Sequence, residues 1–335
     1  MSNSHEEHLP NAPLDLTTQE TVDERMEGIR TEATVAPRKR RRRIDVKLGI
    51  GIVLTLIVVV FAIIGPGLTQ DPRNYDNPVT SPPSAENPLG TNNLGADLLA
   101  QLAEGAAGSL MVGATAGLIA VICSLFFGIV AGYRGGIVDE ILSLATNIML
   151  VIPGLPLVVV IATYLETRSM WMIAVVLGFT SWAGSAVVLR FQAKSLRSRD
   201  YVAAAKTSGE STFRIILVEI LPNLLPLLSS MFLSAVVLAV LSEAGLSYLG
   251  LGPSGAITWG TILNDASTQS AFHQGAWWWF VPPGLLIAML GCGLSLINFA
   301  IDETINPKLK LAPEAVRQVR KAKKQARRTR KAQKR

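Results

Sequence analysis

Residues able to carry out chemistry are few in this sequence and lie far apart. Its 335 residues include three histidines, His5, His8 and His273, and two cysteines, Cys123 and Cys292, each inside a long apolar run. This spacing does not form a metal-binding cluster, and nothing brings the two cysteines together as a disulfide. We therefore expect both cysteines to act as small apolar residues. We expect neither a metal site nor a catalytic centre.

The sequence also lacks an energy source of its own. No G-x-x-x-x-G-K-[ST] phosphate-binding loop occurs, since no glycine is followed by lysine. Proton- and ion-coupled carriers keep ionisable residues within the membrane, but Asp139, Glu140 and Glu243 lie at the ends of apolar runs. If the protein carries out driven transport, the energy must come from a separate polypeptide that docks on it.

Long apolar segments must position these residues. Hydrophobic residues make up 49% of the chain, charged residues only 17%, and the mean hydropathy is +0.37. Crossing about 30 Å of hydrocarbon takes about 20 apolar residues as a helix, and a helix satisfies its own backbone over that length. The sequence thus predicts an all-α membrane protein with six transmembrane helices in one domain, 48–311. We expect the helices at 48–68, 106–132, 141–165, 169–189, 220–242 and 274–301.

The distribution of lysine and arginine predicts the orientation. With the N-terminus inside, nearly all of them fall on the cytoplasmic side, and only Arg73 and Arg168 fall outside. Positive residues are enriched in cytoplasmic loops. We therefore predict a multi-pass protein of the cell (plasma or inner) membrane with both termini and the segment 190–219 in the cytoplasm.

Both ends of the chain are predicted to be cytoplasmic tails. The tail 1–47 has an acidic stretch without apolar periodicity, typical of disorder, and then the basic run 38–43. The tail 312–335 carries 11 Lys or Arg within the 19 residues 317–335. Such runs bind nucleic acid or anionic lipid head groups. We favour lipid and no nucleic acid, because no aromatic residues are interleaved for base stacking.

The segment 190–219 is large enough to receive a partner. Its alanine run after Asp200 favours a short helix, which Gly209 would end because glycine adopts positive φ without steric penalty. A second helix then leads to Pro222 and the fifth span. A short helix that is joined rigidly to transmembrane helices can transmit a displacement to them. We therefore interpret this segment as a mechanical and not a catalytic element.

This segment resembles the EAA loop of binding-protein-dependent ABC importer permeases. The positions 203–205, 209 and 220–222 are in register with its E-A-A, its glycine and its I-x-L-P. Over about residues 45–310 the chain is similar, more specifically, to C-type permeases of dipeptide and oligopeptide importers. The segments 87–97, 243–252, 259–260 and 302–307 carry this second resemblance.

The resemblance implies roles for individual residues. ATPase coupling would fall to Tyr201, Ala203, Ala204, Ala205, Gly209, Leu221 and Pro222. The remaining family motifs would comprise Gly90, Thr91, Gly95, Asp97, Glu243, Gly250, Gly252, Trp259 and Gly260. Several family charges are missing, because Ala96, Ala203, Leu144 and Asn147 stand where the family carries charged residues.

The resemblance also implies a fold, a function and partners. They are the type I ABC importer permease fold and a non-catalytic translocation subunit for di- or oligopeptides that forms half of the pathway. The partners would be a second homologous permease chain, two ATPase subunits that bind ATP and Mg, an extracellular substrate-binding protein and membrane lipids. This chain itself would bind no cofactor. The alternatives are a nickel or other small-solute permease, a stand-alone secondary carrier, and a membrane anchor that presents the basic tail.

Several motifs also have a plain structural interpretation. Gly245, Gly250 and Gly252 would serve close helix packing and a turn, and Glu243 would cap a helix end. Prolines at 153 and 156 would kink the third span. The three tryptophans at 277–279 are typical of an interfacial belt, with an aromatic ligand box as the alternative.

Overall fold

The computed structural model describes residues 46–164 and 166–305, and helices make up most of this part of the chain. The helices, in our numbering, are α1 Val46–Leu68, α2 Leu98–Arg134, α3 Gly136–Val151, α4 Gly154–Tyr164, α5 Met170–Ser181, α6 Ala183–Arg197, α7 Asp200–Thr207, α8 Thr212–Tyr248, α9 Trp259–Thr268 and α10 Trp277–Ile305. Within these residues the sole extended pairing is an isolated bridge between Thr91 and Asp97. The predicted all-α class is confirmed. The predicted tails fall almost wholly outside the described residues.

Four helices, α1, α2, α8 and α10, are each long and apolar enough to cross a membrane. α2 and α8 have 37 residues each, which is about 56 Å of helix and exceeds a hydrocarbon core of about 30 Å. They extend beyond the predicted spans 106–132 and 220–242, so their ends can form surfaces outside the apolar layer. Each includes a π-helical stretch, Leu125–Ile129 in α2 and Ile215–Ile220 in α8.

The segment predicted as the third span, 141–165, is a broken pair and not one straight helix. α3 and α4 meet at 83°. Ile152, between them, is extended with φ −74° and ψ 122°. Pro153 explains this conformation, because a proline ring disfavours helical backbone in the residue before it.

The segment predicted as the fourth span, 169–189, is bent by 48° between α5 and α6. The hydroxyls of Thr180 and Ser181 donate to the carbonyls of Val176 (3.0 Å) and Leu177 (2.8 Å), and such back-bonding bends helices. The carbonyl of Trp182, at the bend, accepts a hydrogen bond of 2.8 Å from a serine of α2. If each bent pair crosses the membrane once, the structure has six spans, as predicted.

Glycines on α2 let its neighbours approach closely. A Cβ on Gly113 would lie 2.5 Å from a side-chain carbon of α8, and one on Gly132 would lie 2.3 Å from a backbone oxygen of α6. Gly117 and Gly128 make similar contacts with α8 and α6. The spacing of four within each pair is the small-xxx-small pattern of membrane helix packing. α2 is therefore the helix on which α6 and α8 assemble.

The buried side chains form separate clusters at opposite ends of the bundle. One cluster joins α9 to α1, α2, α8 and α10 and contains Trp259 and Trp279, both 0% exposed. Another joins α7 to α6, α8 and the last turns of α2 and contains Leu189, Val202 and Ile220. We call these the α9 end and the α7 end. The loops 69–97, 166–169 and 249–276 meet at the α9 end.

Candidate functional site

α7 is a short helix that ends in a sharp turn. Gly209 has φ +81°, a conformation that glycine adopts without the strain a Cβ would bring. The N–H of Glu210 then donates to the carbonyl of Ala205 at 3.1 Å, which closes the helix in the usual C-terminal manner. Ser211 immediately begins α8 by accepting a hydrogen bond of 3.3 Å from the N–H of Arg214. α7 and α8 are thus joined by a short, fixed connection.

One face of α7 is anchored to the rest of the protein. Val202 is 0% exposed and packs in the α7-end cluster with Leu189 of α6 and Ile215 of α8. The ammonium of Lys206 lies 5.1 Å from the ring centroid of Tyr133 at the end of α2, within range of a cation–π attraction. α7 is therefore held by three different helices, and a displacement of α7 must displace them.

The opposite face of α7 is open and consists of small residues. Ala203 and Ala204 are exposed, and Ala205 is half-buried. A cavity of about 310 Å³ lies between α7 and the first turns of α8. Its lining includes Tyr201, Ala204 and Ala205 from α7 and Ile215, Val218 and Glu219 from α8. We call this cavity the docking groove.

The start of α8 is irregular, and a side chain joins it to α7. Pro222 has no N–H, so it cannot donate to the carbonyl of the preceding turn. The amide of Asn223 donates to the carbonyl of Glu219 at 2.7 Å and to the hydroxyl of Tyr201 at 3.4 Å. Leu221 is half-buried against the α7-end cluster. The 220–222 stretch therefore joins α8 to α7 as well as beginning the fifth span.

An ion pair joins α3 to α6 at the α7 end. Two nitrogens of Arg190 donate to the two carboxylate oxygens of Asp139, at 2.5 and 2.9 Å. Ser143 donates to the same carboxylate at 3.1 Å, and Lys194 lies 4.0 Å from it. Two parallel hydrogen bonds from one guanidinium define direction as well as attraction. The first turn of the broken pair is thus fixed to the helix that leads into α7.

At the α9 end the segment 87–97 forms a tight, hydrogen-bonded turn. Gly90 (φ +72°) and Gly95 (φ +86°) have positive φ. A Cβ on either would lie within 2.5 Å of a backbone oxygen. The hydroxyl of Thr91 accepts from the N–H of Ser81 at 2.9 Å. Trp278 covers Gly90 and donates to the carbonyl of Thr91 at 3.4 Å. These residues shape the backbone of the turn.

Two carboxyl groups at this end are partly shielded from water. Asp97 caps α2 by accepting hydrogen bonds from the N–H groups of Leu99 (3.4 Å) and Ala100 (3.2 Å). Burial raises the pKa of the Asp97 carboxyl, and these two hydrogen bonds oppose the increase. Burial likewise raises the pKa of Asp265 on α9.

Glu243 lies inside α8 and not at a helix end, so the capping interpretation is wrong. Its side chain is 0% exposed. One carboxylate oxygen accepts hydrogen bonds from Ser247 (2.6 Å) and from Thr258 (2.7 Å), the residue before α9. Its other oxygen, Oε2, has no hydrogen-bond partner among the described residues. Trp259, next in the chain, is 0% exposed and donates to the carbonyl of Leu102 in α2 at 3.2 Å.

Some glycines of this region allow a turn of the backbone, and others allow close packing. Gly250 has φ +78° and ends α8. A Cβ on Gly252 would lie 2.2 Å from the Ser247 hydroxyl, and one on Gly260 would lie 2.6 Å from the Ser247 Cβ. Gly245 has nothing within 4 Å of a built Cβ and serves neither purpose. Close contact at Gly252 and Gly260 places α9 directly against α8.

The predicted site residues fall into two groups at opposite ends of the protein. The seven coupling residues lie at the α7 end, where Tyr201, Ala204 and Ala205 line the groove. Pro222 is exposed beside them. The nine family-motif residues lie together at the α9 end. Among the three tryptophans only Trp277, 52% exposed, has the exposure that an interfacial belt needs.

Positions that lack the family charges are tolerated for simple reasons. Ala203, Leu144 and Asn147 are exposed, so the missing charges leave no hole in the packing. Ala96 is 0% exposed, and its N–H donates to the Asn92 side chain at 2.8 Å. It contributes to the turn through its backbone alone.

Sequence reasoning missed the contacts that hold α7 and α3 in place. The alanine run gives no sign that Val202 is buried, and Asp139 and Arg190 are 51 residues apart in the sequence. A usable signal existed for the pair, because opposite charges stand at the ends of two segments predicted to lie on the same side. Glu243 and Thr258 gave no such signal, since a 15-residue separation across a turn does not predict a contact.

This arrangement defines a class of protein. A bundle with four spanning helices and two bent pairs carries an anchored short helix beside an open groove at one end and hydrogen-bonded loops at the other. Among the described residues no group of His, Cys, Asp or Glu could hold a metal ion. The arrangement is that of a helical membrane protein with four to six spans.

Comparison with known proteins gives the family. Residues 124–311 match the model of the binding-protein-dependent transport system inner membrane component, and the chain belongs to this family. It is 34% identical over 262 residues to the dipeptide transport system permease protein DppC of Bacillus subtilis, which covers 77% of this chain and 80% of that protein. It is 30% identical over 245 residues to the oligopeptide transport system permease protein OppC of Mycobacterium tuberculosis, covering 70% and 82%. It is thus a multi-pass membrane permease.

Proposed function

We propose that this chain is one of two membrane permease subunits of an ATP-driven importer for di- or oligopeptides. The supporting observation is the mechanical path from α7 to α9. α7 is anchored by Val202 and joined through Gly209 to α8, which continues for 37 residues. Near its other end α8 is hydrogen-bonded through Glu243 to the start of α9. Movement of α7 therefore reaches the opposite surface of the membrane through one helix.

The orientation follows from charge. Ten Lys or Arg occur in the described residues, eight at the α7 end and two, Arg73 and Arg168, at the α9 end. The positive-inside rule places the α7 end in the cytoplasm. The docking groove then faces ATPase subunits, and the α9 end faces an extracellular substrate-binding protein.

The partners supply what this chain does not. Two ATPase subunits bind ATP and Mg and hydrolyse the nucleotide, while this chain carries out no chemical step and binds no cofactor. A second, homologous permease completes the pathway. Nucleotide-driven movement of the ATPases shifts the pair of permeases between two conformations, which is a population shift and not a reaction.

The cargo is proposed from the relatives. The permeases of Bacillus subtilis and Mycobacterium tuberculosis named above are a dipeptide and an oligopeptide transport component. Uptake of a labelled dipeptide and of a labelled pentapeptide by vesicles containing the whole importer tests this proposal. Uptake of nickel ions without uptake of either peptide would assign the cargo to the alternative class.

The docking groove allows a matched test of coupling. Ala203 and Ala204 are adjacent and exposed, but only Ala204 lines the groove. Ala204→Glu fills the groove with a charge and should abolish both uptake and the stimulation of ATP hydrolysis by the loaded binding protein. Ala203→Glu places the same side chain beside the groove and should be tolerated or improve coupling.

Gly209→Val provides an independent test of the same element. Valine is strongly disfavoured at positive φ, so the turn between α7 and α8 should change while the spans insert normally. Uptake and stimulated ATP hydrolysis should both fall severely in reconstituted vesicles. If Gly209→Val and Ala204→Glu both transport at the wild-type rate, α7 is not the coupling element and the proposal loses its main support.

A further inference from the structure

The α9 end contains a cleft formed by all three loops of that surface. It has a volume of about 400 Å³ and is lined by residues of 73–101, by Arg168 and by the turn 250–257 together with α9. We call it the arginine cleft, because both arginines of the α9 end, Arg73 and Arg168, line it. Because residues of three separate loops line this one cavity, we regard it as a structural feature of the surface.

Both arginines are positioned by the same turn. The guanidinium of Arg73 donates to the carbonyl of Gly255 at 2.7 Å, and that of Arg168 donates to the carbonyl of Gly250 at 3.0 Å. The backbone carbonyl of Arg168 also accepts from the N–H of Ser254 at 2.7 Å. Each guanidinium has five N–H donors, so most of them remain available for another acceptor.

Neither arginine forms an ion pair with another described residue. All ion pairs among residues 46–164 and 166–305 lie at the α7 end, and none includes Arg73 or Arg168. Asp265 also lines the cleft and is exposed, so its carboxylate offsets part of the charge of the two arginines. The surrounding surface carries exposed carboxylates at Asp71, Asp76, Glu86 and Glu166. An approaching carboxylate is therefore attracted by the two arginines of the cleft and repelled by the carboxylates around it.

We propose that the arginine cleft receives an acidic side chain of the extracellular substrate-binding protein when that protein docks on the permease. This inference rests on the proposed importer function and specifies how one partner is recognised. A carboxylate is the acceptor that guanidinium groups bind best. The cleft lies between this chain's own loops and opens to the surface, which favours a residue of a docked protein over cargo that passes between two permeases. The surrounding negative charge fixes the position of the docked partner.

The test uses the complete importer in lipid nanodiscs, together with the peptide-type binding protein from the same organism that stimulates ATP hydrolysis by the importer. The affinity of the binding protein for the importer is measured at low and at high salt. Three importers are compared: the wild type, the double variant Arg73→Gln/Arg168→Gln and the double variant Arg73→Lys/Arg168→Lys. Loss of both charges should weaken binding about tenfold at low salt and flatten its salt dependence. The double lysine variant keeps both charges and should retain most of the affinity.

Each outcome separates this inference from the importer proposal. If no binding protein stimulates or binds the wild-type complex, the importer proposal itself fails. If the wild type binds and the double glutamine variant binds equally well with the same salt dependence, only the arginine-cleft inference fails. It also fails if the double glutamine variant binds the binding protein normally but no longer prefers transported peptides with a free C-terminus over amidated ones. That result would show that the cleft receives cargo. Equal loss in the lysine and glutamine variants would assign the arginines to holding the turn and would overturn the inference as well.

Discussion

Glu243 is the residue through which α8 and α9 are connected. It is fully buried five residues before the end of α8 and accepts hydrogen bonds from Ser247 on its own helix and from Thr258 at the start of α9. A buried carboxylate needs such donors, because an unpaired polar group away from water costs free energy. The same bonds hold the turn 249–257 between the two helices in place.

We expect Glu243→Ala to destabilise the protein by about 2–4 kcal/mol, because it leaves two buried hydroxyls without an acceptor and opens a cavity. Glu243→Gln keeps a carbonyl oxygen for those hydroxyls and should cost less. The measurement is the midpoint of thermal unfolding in detergent. Ser229→Ala is the matched control, since Ser229 is an exposed residue of α8 that bonds only to the Leu225 carbonyl. An equal shift for the alanine variants at 243 and 229 would contradict this role.

At the residue scale, the sequence predicted where the small residues matter better than it predicted polar contacts. Gly209 and Gly250 could be expected at turns, because their neighbours read as helix ends and only glycine tolerates positive φ well. The role of Glu243 could not be inferred, because its partner Thr258 becomes a neighbour only after the turn folds α9 back on α8. The same limit applies to Arg73 and the carbonyl of Gly255, which are 182 residues apart.

The broken pair α3–α4 buries few of its residues. In the sequence the pair reads as one span, but Pro153 turns it by 83°. Most of its large apolar side chains are exposed, and only Asp139, Thr146, Val158 and Ala162 are buried in it. Such an element keeps its direction only if another contact fixes one end. The bidentate bond between Asp139 and Arg190 provides that contact.

We expect this ion pair to have a coupling energy of about 1–3 kcal/mol, because it is partly buried and doubly hydrogen-bonded. Asp139→Asn, Arg190→Gln and the double variant form the double-mutant cycle, read out by equilibrium unfolding in mixed micelles. The matched control is the exposed pair Glu210–Arg214, one turn apart in sequence. The coupling energy of that pair should be about 0.5 kcal/mol or less. Similar values for the two pairs would show that Asp139 and Arg190 do not fix the helix.

At the element scale, the existence and type of the helices and the kink at Pro153 could be predicted, but most helix ends and the bend at Trp182 could not. Apolar length identified each span because the membrane requires it, and a second helix before Pro222 was expected. The early start of α2 at Leu98 was missed, because Gln101 and Glu104 interrupt the apolar run. The bend at Trp182 was also missed, since hydroxyls at 180 and 181 bend a helix only through their hydrogen bonds.

On the scale of the whole molecule, the predicted tails 1–47 and 312–335 lie largely outside the described residues. We expect deletion of 1–37 or of 313–335 to leave peptide uptake close to the wild-type rate, because neither segment has an apolar face that could pack. Uptake is measured together with the amount of protein in the membrane. Loss of uptake at a normal membrane level would show that the tail has a specific partner.

The orientation of the whole molecule is the prediction on which the assignment of both partners depends. The described loops divide between two ends, with eight of ten Lys or Arg at the α7 end, and this asymmetry predicts that the α7 end is cytoplasmic. After Cys123 and Cys292 are replaced by alanine, single cysteines at the exposed positions Ser84, Ser267 and Ser198 report the two sides. An impermeant thiol reagent should label the variants at 84 and 267 in intact cells but not the variant at 198, and all three should react after solubilisation in detergent. The reverse labelling in intact cells would place α7 outside. It could not then dock on ATPases, and the arginine cleft could not face an extracellular binding protein.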